Sequence, residues 1–310
     1  MSLIGTLTSG VTALKTFTQG LDVIGNNIAN VNTTGFKSSK ATFADSFSNT
    51  LRGAAPSSGT TSNQSPVQVG TGVQLSGVLT NFGQGALTTT GNTTDLAISG
   101  NGFFVVKDAA SGQMYATRSG EFRIDDRGYL INAQGLRVQG FTGGTPAAPL
   151  AGDTGTLGDI QVGQNLPAAS GVPPIQPQLQ SISIDSAGNV VESYSDGSTA
   201  VTNRVLLQNF SDPAALTKQG SNLYAGFEAA GPINGATLGG AILSDAANGS
   251  NDPGKAGLGS IQSGSLELSN VDLTEQFADM ITTQRSFQAA SRLVTVSDTV
   301  LDDIVNLKRQ

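Results

Sequence analysis

Two rows of apolar residues, one at each end of the chain, constrain the fold more than any other feature. In the first row, the intervals between members alternate between four and three, and one position is filled by Gly10. Such heptad spacing is typical of a helix that packs against another helix along one face. The members are Leu3, Leu7, Leu14, Phe17, Leu21, Ile24, Ile28 and Val31. The row predicts a coiled-coil helix over residues 1–34.

The residues between the members of this row are poor helix formers. Gly5, Gly20 and Gly25 each cost about 1 kcal/mol relative to alanine. Lys15 and Asp22 are the only charged residues of the segment. Because the spacing favours a helix and the composition opposes it, we expect the segment to be disordered in the free monomer. It is expected to become helical when a partner covers its apolar face.

A second row of apolar residues lies near the C-terminus. Asp272 and Glu275 stand at its start in the arrangement of a capping box, in which a side chain accepts hydrogen bonds from the first helical amides. The members are Leu273, Phe277, Met280, Phe287, Val294, Leu301 and Val305. Two rows of similar length in one chain are expected to pair. The sequence therefore predicts a helix over 263–310 that forms a coiled coil with the N-terminal helix.

The sequence between the two helices has the pattern of β-structure. Residues 95–99 and 103–106 read as strands separated by a glycine turn. The motif I-D-x-x-G-x-[LV]-[IV] begins at Ile124 and again at Ile184, and each copy predicts a hairpin whose turn ends on glycine. The predicted fold class is α+β, with terminal helices and a mainly-β central region of one or two small domains.

The composition of the central region suggests how it is divided. Residues 35–90 are expected to form a connecting segment with long loops. Residues 91–145 and 179–262 are expected to form a discontinuous β domain. The Pro- and Gly-rich residues 146–178 are interpreted as a linker or a reduced outer-domain insertion.

The chain lacks the residues on which most catalytic and metal sites depend. It contains no cysteine and no histidine, which excludes disulfides, thiolate chemistry and Ser-His or Cys-His catalysis. The carboxylate pairs Asp125–Asp126 and Asp302–Asp303 fall in a predicted turn and on a predicted helix face, where solvated charge is the better interpretation. We therefore expect no enzymatic activity, no cofactor and no metal.

Charge and hydropathy also restrict the partners. The net charge of −7 argues against a nucleic-acid partner. No stretch approaches about 18 consecutive apolar residues, so no membrane insertion is expected. The N-terminus lacks the basic and apolar regions of a cleavable signal peptide, so any export is expected to occur without cleavage.

Five stretches of the chain carry a resemblance to a known family. They are DVIGNNIANVNTTGFK (22–37), ATFADSF (41–47), DLAISGNGFFVV (95–106), TRSGEFRIDDRGYLINAQGLRVQGF (117–141) and the C-terminal stretch 264–308. In this order they resemble the hook and rod proteins that form the axis of the bacterial flagellum. The signature positions, to which we assign structural and subunit-packing roles, are Asn26, Asn27, Asn30, Asn32, Gly35 and Lys37. Gly25 and the asparagines are expected to end the helix, and the chain is expected to turn at Gly35.

The resemblance implies a self-assembling structural subunit whose terminal helices line an inner tube while the β domains project outward. NNIANVNTTGFK, ATFADSF and the ending NLK are most similar to the hook subunit, which would make the assembly the flexible joint that transmits torque from rod to filament. Many hook subunits are longer, so the distal rod protein is the alternative. A secreted coiled-coil and β adhesin is the second alternative.

The resemblance also implies partners and a location. The expected partners are many copies of the same chain, the distal rod protein, and the hook cap and hook–filament junction proteins. The flagellar type III export apparatus is expected to secrete the subunit without cleavage. The expected location is the hook and basal body of the flagellum, outside the cell.

Overall fold

The computed structural model describes residues 3–54, 56, 63–143, 156–163, 178–234, 237–238, 243 and 251–307. Most of the predicted linker at 146–178 lies outside the described residues, as does the side chain of Leu3. The helices are α1 (Leu3–Ala29), α2 (Phe227–Ala230) and α3 (Leu273–Leu307), with a short 3₁₀ helix at Pro213–Ala215.

The strands of the first half of the chain are β1 (Ser39–Asp45), β2 (Ser48–Arg52), β3 (Val67–Gly70), β4 (Val73–Thr80), β5 (Leu87–Thr89), β6 (Leu96–Ser99), β7 (Phe103–Lys107), β8 (Met114–Thr117), β9 (Arg123–Ile124), β10 (Leu130–Ile131), β11 (Arg137–Thr142) and β12 (Thr156–Asp159). Those of the second half are β13 (Leu179–Ile184), β14 (Asn189–Tyr194), β15 (Thr199–Val205), β16 (Leu207–Phe210), β17 (Thr217–Gly220), β18 (Leu223–Ala225), β19 (Pro232–Asn234), β20 (Thr237–Leu238), β21 (Ser260–Ser263) and β22 (Ser265–Glu267).

The chain divides into two compact units. The first, which we call the helix unit, comprises Met1–Val31, Ser38–Asn81 and Val271–Gln310. The second, which we call the sheet unit, comprises Asn32–Lys37 and Phe82–Asn270. The chain therefore passes from one unit to the other four times. The finer domain boundaries drawn from the sequence remain a prediction.

In the helix unit, α1 and α3 lie against each other in opposite directions. Near one end of the pair, the hydroxyl oxygens of Thr6 and Ser297 are 3.4 Å apart. Near the other end, Asn27 Nδ2 donates to Gln276 Oε1 at 2.9 Å. Thr6 to Asn27 and Ser297 to Gln276 both span 21 residues, or three heptads, so the register holds over the whole contact. The predicted α+β fold with paired terminal helices is confirmed.

The ends of the helices differ in how well the sequence predicted them. The expectation that Gly25 and the asparagines end α1 was wrong for Gly25, Asn26 and Asn27, because α1 runs through these residues to Ala29. Asn30 directly follows the last helical residue. The helical pairing at Asn27 outweighs the local preference of these residues for turns. At the start of α3, Asp272 Oδ1 accepts hydrogen bonds from the backbone amides of Thr274 at 2.8 Å and Glu275 at 3.3 Å, as the capping prediction requires.

Two antiparallel strand pairs complete the helix unit. Strand β1 pairs with β4, and β2 pairs with β3, both in antiparallel fashion. The pair of β1 and β4 packs on α1: the ring of Phe17 meets that of Phe43 edge to face with centroids 6.1 Å apart, and Thr16 Oγ1 donates to the carbonyl oxygen of Val73 at 3.3 Å. All five residues of β2 are exposed.

The sheet unit is built from antiparallel strand pairs around a central strand, β7. The sequence FFVVK of this strand is apolar on both faces, and its first four residues are buried. Phe104 and Val106 face the main apolar core, while Phe103 and Val105 face two smaller clusters. Strands β8, β11 and β16 pair with β7. Burial of both faces explains why the run shows no alternation of polar residues.

The two copies of the repeated motif form hairpins, as predicted. Strand β9 pairs with β10, and β13 pairs with β14. Gly128 and Gly188 adopt φ angles of 84° and 78°, which are strained for residues with a side chain. Asp125 and Asp185 play equivalent parts, because each accepts hydrogen bonds from amides two and four residues later.

In the part of the chain that the structure describes, none of the helices has the length and apolar character needed to span a bilayer.

Candidate assembly interface

Small and polar side chains line the contact between α1 and α3. A Cβ added at Gly10 would lie 2.8 Å from Val294 Cγ2, and one added at Gly20 would lie 3.7 Å from Thr283 Cγ2. The side chain of Ser297 is buried against α1. Glycine at these positions lets the helices approach more closely than larger residues would permit. We call this contact the helix seam.

Asn27 joins three elements at one end of the helix seam. Its side chain is 1% exposed. Nδ2 donates to the carbonyl oxygen of Ser39 in β1 at 2.7 Å and to Gln276 Oε1 in α3, while Oδ1 accepts from the amide of Ser39 at 2.9 Å. A buried amide that is satisfied in only one arrangement fixes the register of paired helices.

The residues predicted to pack between helices or subunits occupy different environments. Half-buried positions are Leu7, Leu14, Phe17, Leu21, Ile24, Ile28, Val31, Met280, Val294 and Leu301. Exposed positions are Leu273, Phe277, Phe287 and Val305. Of these residues, Val294 lies in the helix seam. The role assigned to the set in subunit packing remains a prediction.

Further apolar side chains of α3 are exposed in two rows. Leu273, Phe277 and Ile281 are spaced by four residues in the first half of the helix. The second half carries a row that the sequence prediction missed, formed by Leu293, Val296, Val300 and Ile304. At 100° per residue, the two rows point to sides of the helix that differ by more than about 100°. We call them the early row and the late row.

The signature residues other than Asn27 fall into two groups. Asn26 and Asn32 are exposed, and Asn30 Nδ2 donates to the carbonyl oxygen of Asn26 at 2.9 Å, which closes the end of α1. Gly35 has a φ angle of 68°, and a Cβ at this position would lie 2.5 Å from the amide nitrogen of Ser119. The predicted turn at Gly35 is therefore present, and it requires glycine.

Lys37 is fully buried and takes part in an ion cluster that the sequence did not predict. Its Nζ lies 2.6 Å from Glu267 Oε1 and donates to the carbonyl oxygen of Gly83 at 2.8 Å. Arg118 Nη1 lies 3.3 Å from Glu267 Oε2, and its guanidinium lies over the ring of Phe103. Burial lowers the pKa of Lys37, and the hydrogen bond and charge of Glu267 oppose this only in part.

Comparison with known proteins identifies the family. Residues 7–37 match the family of flagella basal body rod proteins, residues 97–192 match the D1 domain of flagellar hook protein FlgE/F/G, and residues 262–307 match the C-terminal region of flagellar basal body rod FlgEFG proteins. The chain is 36% identical over 307 residues to the flagellar basal-body rod protein FlgG of Bacillus subtilis (strain 168), and the alignment covers 99% of this chain and 100% of that protein. The chain belongs to the flagellar hook and rod protein family.

Other relatives of this flagellar axial protein include both rod and hook proteins. The rod protein FlgG of Borreliella burgdorferi is 31% identical over 311 residues, with full coverage of both chains. The hook protein FlgE of the same organism is 26% identical over 458 aligned positions, which cover 99% of this chain and 100% of that protein. The chain is thus a structural, non-enzymatic protein of the flagellar rod or hook.

Proposed function

We propose that this chain is the distal rod subunit of the bacterial flagellum. The length of the alignments supports this proposal over the hook, the function favoured by the sequence motifs. Alignments with rod proteins of Bacillus subtilis and Borreliella burgdorferi extend over 307 and 311 positions, close to the 310 residues of this chain. Alignments with hook proteins extend over 431 to 480 positions, so at least 121 of them (431 minus 310) have no counterpart here.

A deletion strain distinguishes rod from hook. Basal bodies purified from a strain that lacks this gene are to be imaged by electron microscopy. A distal rod subunit predicts truncated rods without hooks. Complete rods that lack only the hook would instead identify the chain as the hook subunit. The relatives described above are flagellar proteins, so nothing in them supports the adhesin alternative.

We further propose that copies of the chain polymerise through the early and late rows of α3. Family membership implies a homopolymer, and an assembly that does not close on itself needs two different surfaces on each copy. The two rows meet this requirement, because they lie at different heights and on different sides of one helix. Phe277 and Ile281 are 50% and 52% exposed and Val296 is 61% exposed, so apolar area is available for burial between copies.

Engineered cysteines test this contact, since the native chain contains none. Two single variants, Phe277→Cys and Val296→Cys, are polymerised separately and as a mixture, and disulfides are formed by mild oxidation. Pairing of early row with late row predicts cross-linked dimers in the mixture and few in either variant alone. Equal cross-linking in the single-variant polymers would contradict the proposal. Gln284→Cys, at an exposed polar position of the same helix, is the matched control.

The N-terminal helix is expected to be necessary for polymerisation. A chain that lacks residues 1–30 should form no filaments under conditions in which the intact chain does, as judged by negative-stain electron microscopy. Unchanged assembly of the shortened chain would refute this role. Contacts with the hook cap, the hook–filament junction proteins and the type III export apparatus remain predictions.

A further inference from the structure

The early row and the late row of α3 share one spacing. Phe277 and Ile281, which we call the early pair, are four residues apart. Val296 and Val300, which we call the late pair, have the same spacing and lie 19 positions further along the helix. The late pair lines a groove of about 400 Å³ that Thr6 of α1 borders. Contact between an early pair and the late pair of another copy therefore requires a shift of about 28 Å along the helix.

The two α3 helices in such a contact run in the same direction. Membership of the flagellar axial family implies a homopolymer, and the copies in an open-ended polymer are related by one repeated operation. An antiparallel arrangement would relate two copies by a two-fold axis, and a contact of that kind closes after two copies. A parallel arrangement leaves the late row of one copy and the early row of the other available for further copies.

One pair of opposite charges falls at the same height in this contact. Arg285 lies four residues after Ile281 and continues the spacing of the early row. After the shift of 19 residues, it is level with Ile304 of the other copy. Asp303 precedes Ile304, so the two charged residues differ in height by only about 1.5 Å. Both side chains are exposed in the single chain.

Arg285 and Asp303 also lie on the same edge of the contact. At 100° per residue, Arg285 is about 60° from the middle of the early pair. Asp303 is about 40° from the middle of the late pair, in the opposite sense. On two parallel helices that face each other, opposite senses point to the same edge. The guanidinium of one copy therefore comes beside the carboxylate of the other, as at the positions that flank the apolar seam of a coiled coil.

The other charged residues of the overlapping stretches form no such pair. Glu275 and Asp279 point more than about 130° away from the early pair, and Asp298 and Asp302 point equally far from the late pair. Arg292 shares the edge with Asp303, but it lies level with the first residue of the early row, which is a leucine. The charges thus favour a second copy of this chain as the occupant of the groove, at one particular shift.

The two partners cannot meet within one copy, because 18 residues of helix hold Arg285 and Asp303 about 27 Å apart. Given the proposed contact between the rows, we propose that Arg285 of one copy forms an ion pair with Asp303 of the next and thereby fixes the shift between their α3 helices. Apolar rows alone fix it weakly, since a slip of four residues moves Phe277 from Val296 to Val300. The same slip displaces the two charges by about 6 Å.

Reversal of the charges tests the pair. In Arg285→Glu, like charges meet at every contact, and the same is true of Asp303→Arg. Each change is expected to raise the critical concentration for polymerisation about tenfold, because a repulsion replaces an attraction of similar size. In the double variant Arg285→Glu/Asp303→Arg, opposite charges meet again, so the critical concentration should return to within about twofold of the native value.

The matched control is Arg285→Glu/Asp302→Arg, which has the same net charge but places the new cation on the far side of the helix. It should polymerise as poorly as Arg285→Glu. Critical concentrations are measured from the subunit left in the supernatant after sedimentation, and circular dichroism at 222 nm verifies the helices. If Arg285→Glu fails to fold, Asp303→Arg compared with Asp302→Arg decides the question. Native critical concentrations in the single variants, or equal rescue by Asp302→Arg, would overturn the proposal.

The cysteine experiment on the rows separates the two proposals. Cross-links between Phe277→Cys and Val296→Cys, together with unchanged polymerisation of the charge variants, would leave the row contact standing and overturn the ion pair. No cross-links in that mixture would overturn the row contact and the ion pair with it. A further expected result is that salt at about 0.5 M reduces the differences between the charge variants, because it screens exposed charges.

Discussion

Replacement of Asn27 by alanine is the most direct test of how the helix pair is held in register. The substitution removes the three hydrogen bonds that join α1 to Ser39 and to Gln276. It leaves the amide and the carbonyl group of Ser39 without this partner in a half-buried position. Each lost bond of this kind costs about 1–2 kcal/mol, and the side chain of Gln276 recovers part of its loss by turning toward water.

The net cost follows from these contributions. Two backbone groups account for about 3 kcal/mol, and the better helix propensity of alanine returns about 0.6 kcal/mol. The free energy of unfolding of the helix unit should therefore fall by about 2 kcal/mol. With a urea dependence of roughly 1.5 kcal/mol per molar, the unfolding midpoint shifts down by a little over 1 M.

The assay and its control use features of the chain itself. Unfolding in urea is followed at 222 nm, where α1 and α3 dominate the circular dichroism. Tyrosine fluorescence reports separately on the sheet unit, because that unit contains all four tyrosines of the chain. Asn26→Ala changes the neighbouring, exposed asparagine of the same helix and should raise stability by a few tenths of a kcal/mol through propensity alone. Equal midpoints for the two alanine variants would refute the role given to Asn27.

Further predictions concern the sheet unit and the helix seam. Gly35→Ala should lower the free energy of unfolding by about 3 kcal/mol or more, because φ is positive and the new Cβ would meet Ser119. The control Gly91→Ala, with φ of 80° and open space around it, should lower it by about 1 kcal/mol in the same urea titration. For Asp159, burial alone would raise the pKa, but hydrogen bonds from Gln139 and Arg137 outweigh it and lower the pKa below 3.8. As the pH falls, the carboxylate of Asp159 is protonated in the unfolded chain before it is protonated in the folded one. The stability that this carboxylate contributes above about pH 4 is therefore lost as the pH falls through the folded pKa. In Asp159→Asn, this part of the acid dependence should disappear from the tyrosine-monitored unfolding transition. Gly10→Leu should destabilise the helix pair by about 1–3 kcal/mol, since Val294 occupies the space, whereas Gly5→Leu, with no atom within 4 Å, should not.

The sequence predicted the elements of this fold better than their contacts. Heptad spacing and the capping residue Asp272 located α3, but the predicted range 263–310 began too early, because Ser265–Glu267 form strand β22 and the helix begins at Leu273. A repeated turn motif was sufficient to predict the hairpins at Gly128 and Gly188. These signals are local, because a few neighbouring residues determine the backbone conformation. Such features can be read without knowledge of the rest of the chain.

The helix seam was harder to predict because the largest apolar residues do not define it. Leu273, Phe277 and Val305 belong to the predicted row but are exposed in the single chain, so the contact between α1 and α3 does not bury them. Gly10, Gly20 and Ser297 lie at the seam instead, and small or polar residues carry little weight in a search for apolar periodicity. Which of two possible faces is buried depends on close approach between backbones, which only the folded pair reveals.

Glu267 shows a second limit of the sequence signal. In SLELS, the alternation suggests that Leu266 and Leu268 face inward and that Glu267 faces water. The structure has the opposite arrangement, with Glu267 1% exposed and Leu268 36% exposed. The reversal is stabilised by Lys37, 230 positions away, and no local pattern contains that information.

The lining of the helix seam has a consequence for how the filament and its single subunit respond to substitutions. In most bundles, the same large side chains stabilise the single molecule and set its shape. Here Gly10, Asn27 and Ser297 lie in the contact between the helices, beside Val294. Phe277, Ile281 and Val296 of α3 are exposed. Under the proposed packing, the stability of one copy and the cohesion of the filament therefore depend on different residues. Stiffness of the whole could be adjusted over generations without loosening its parts.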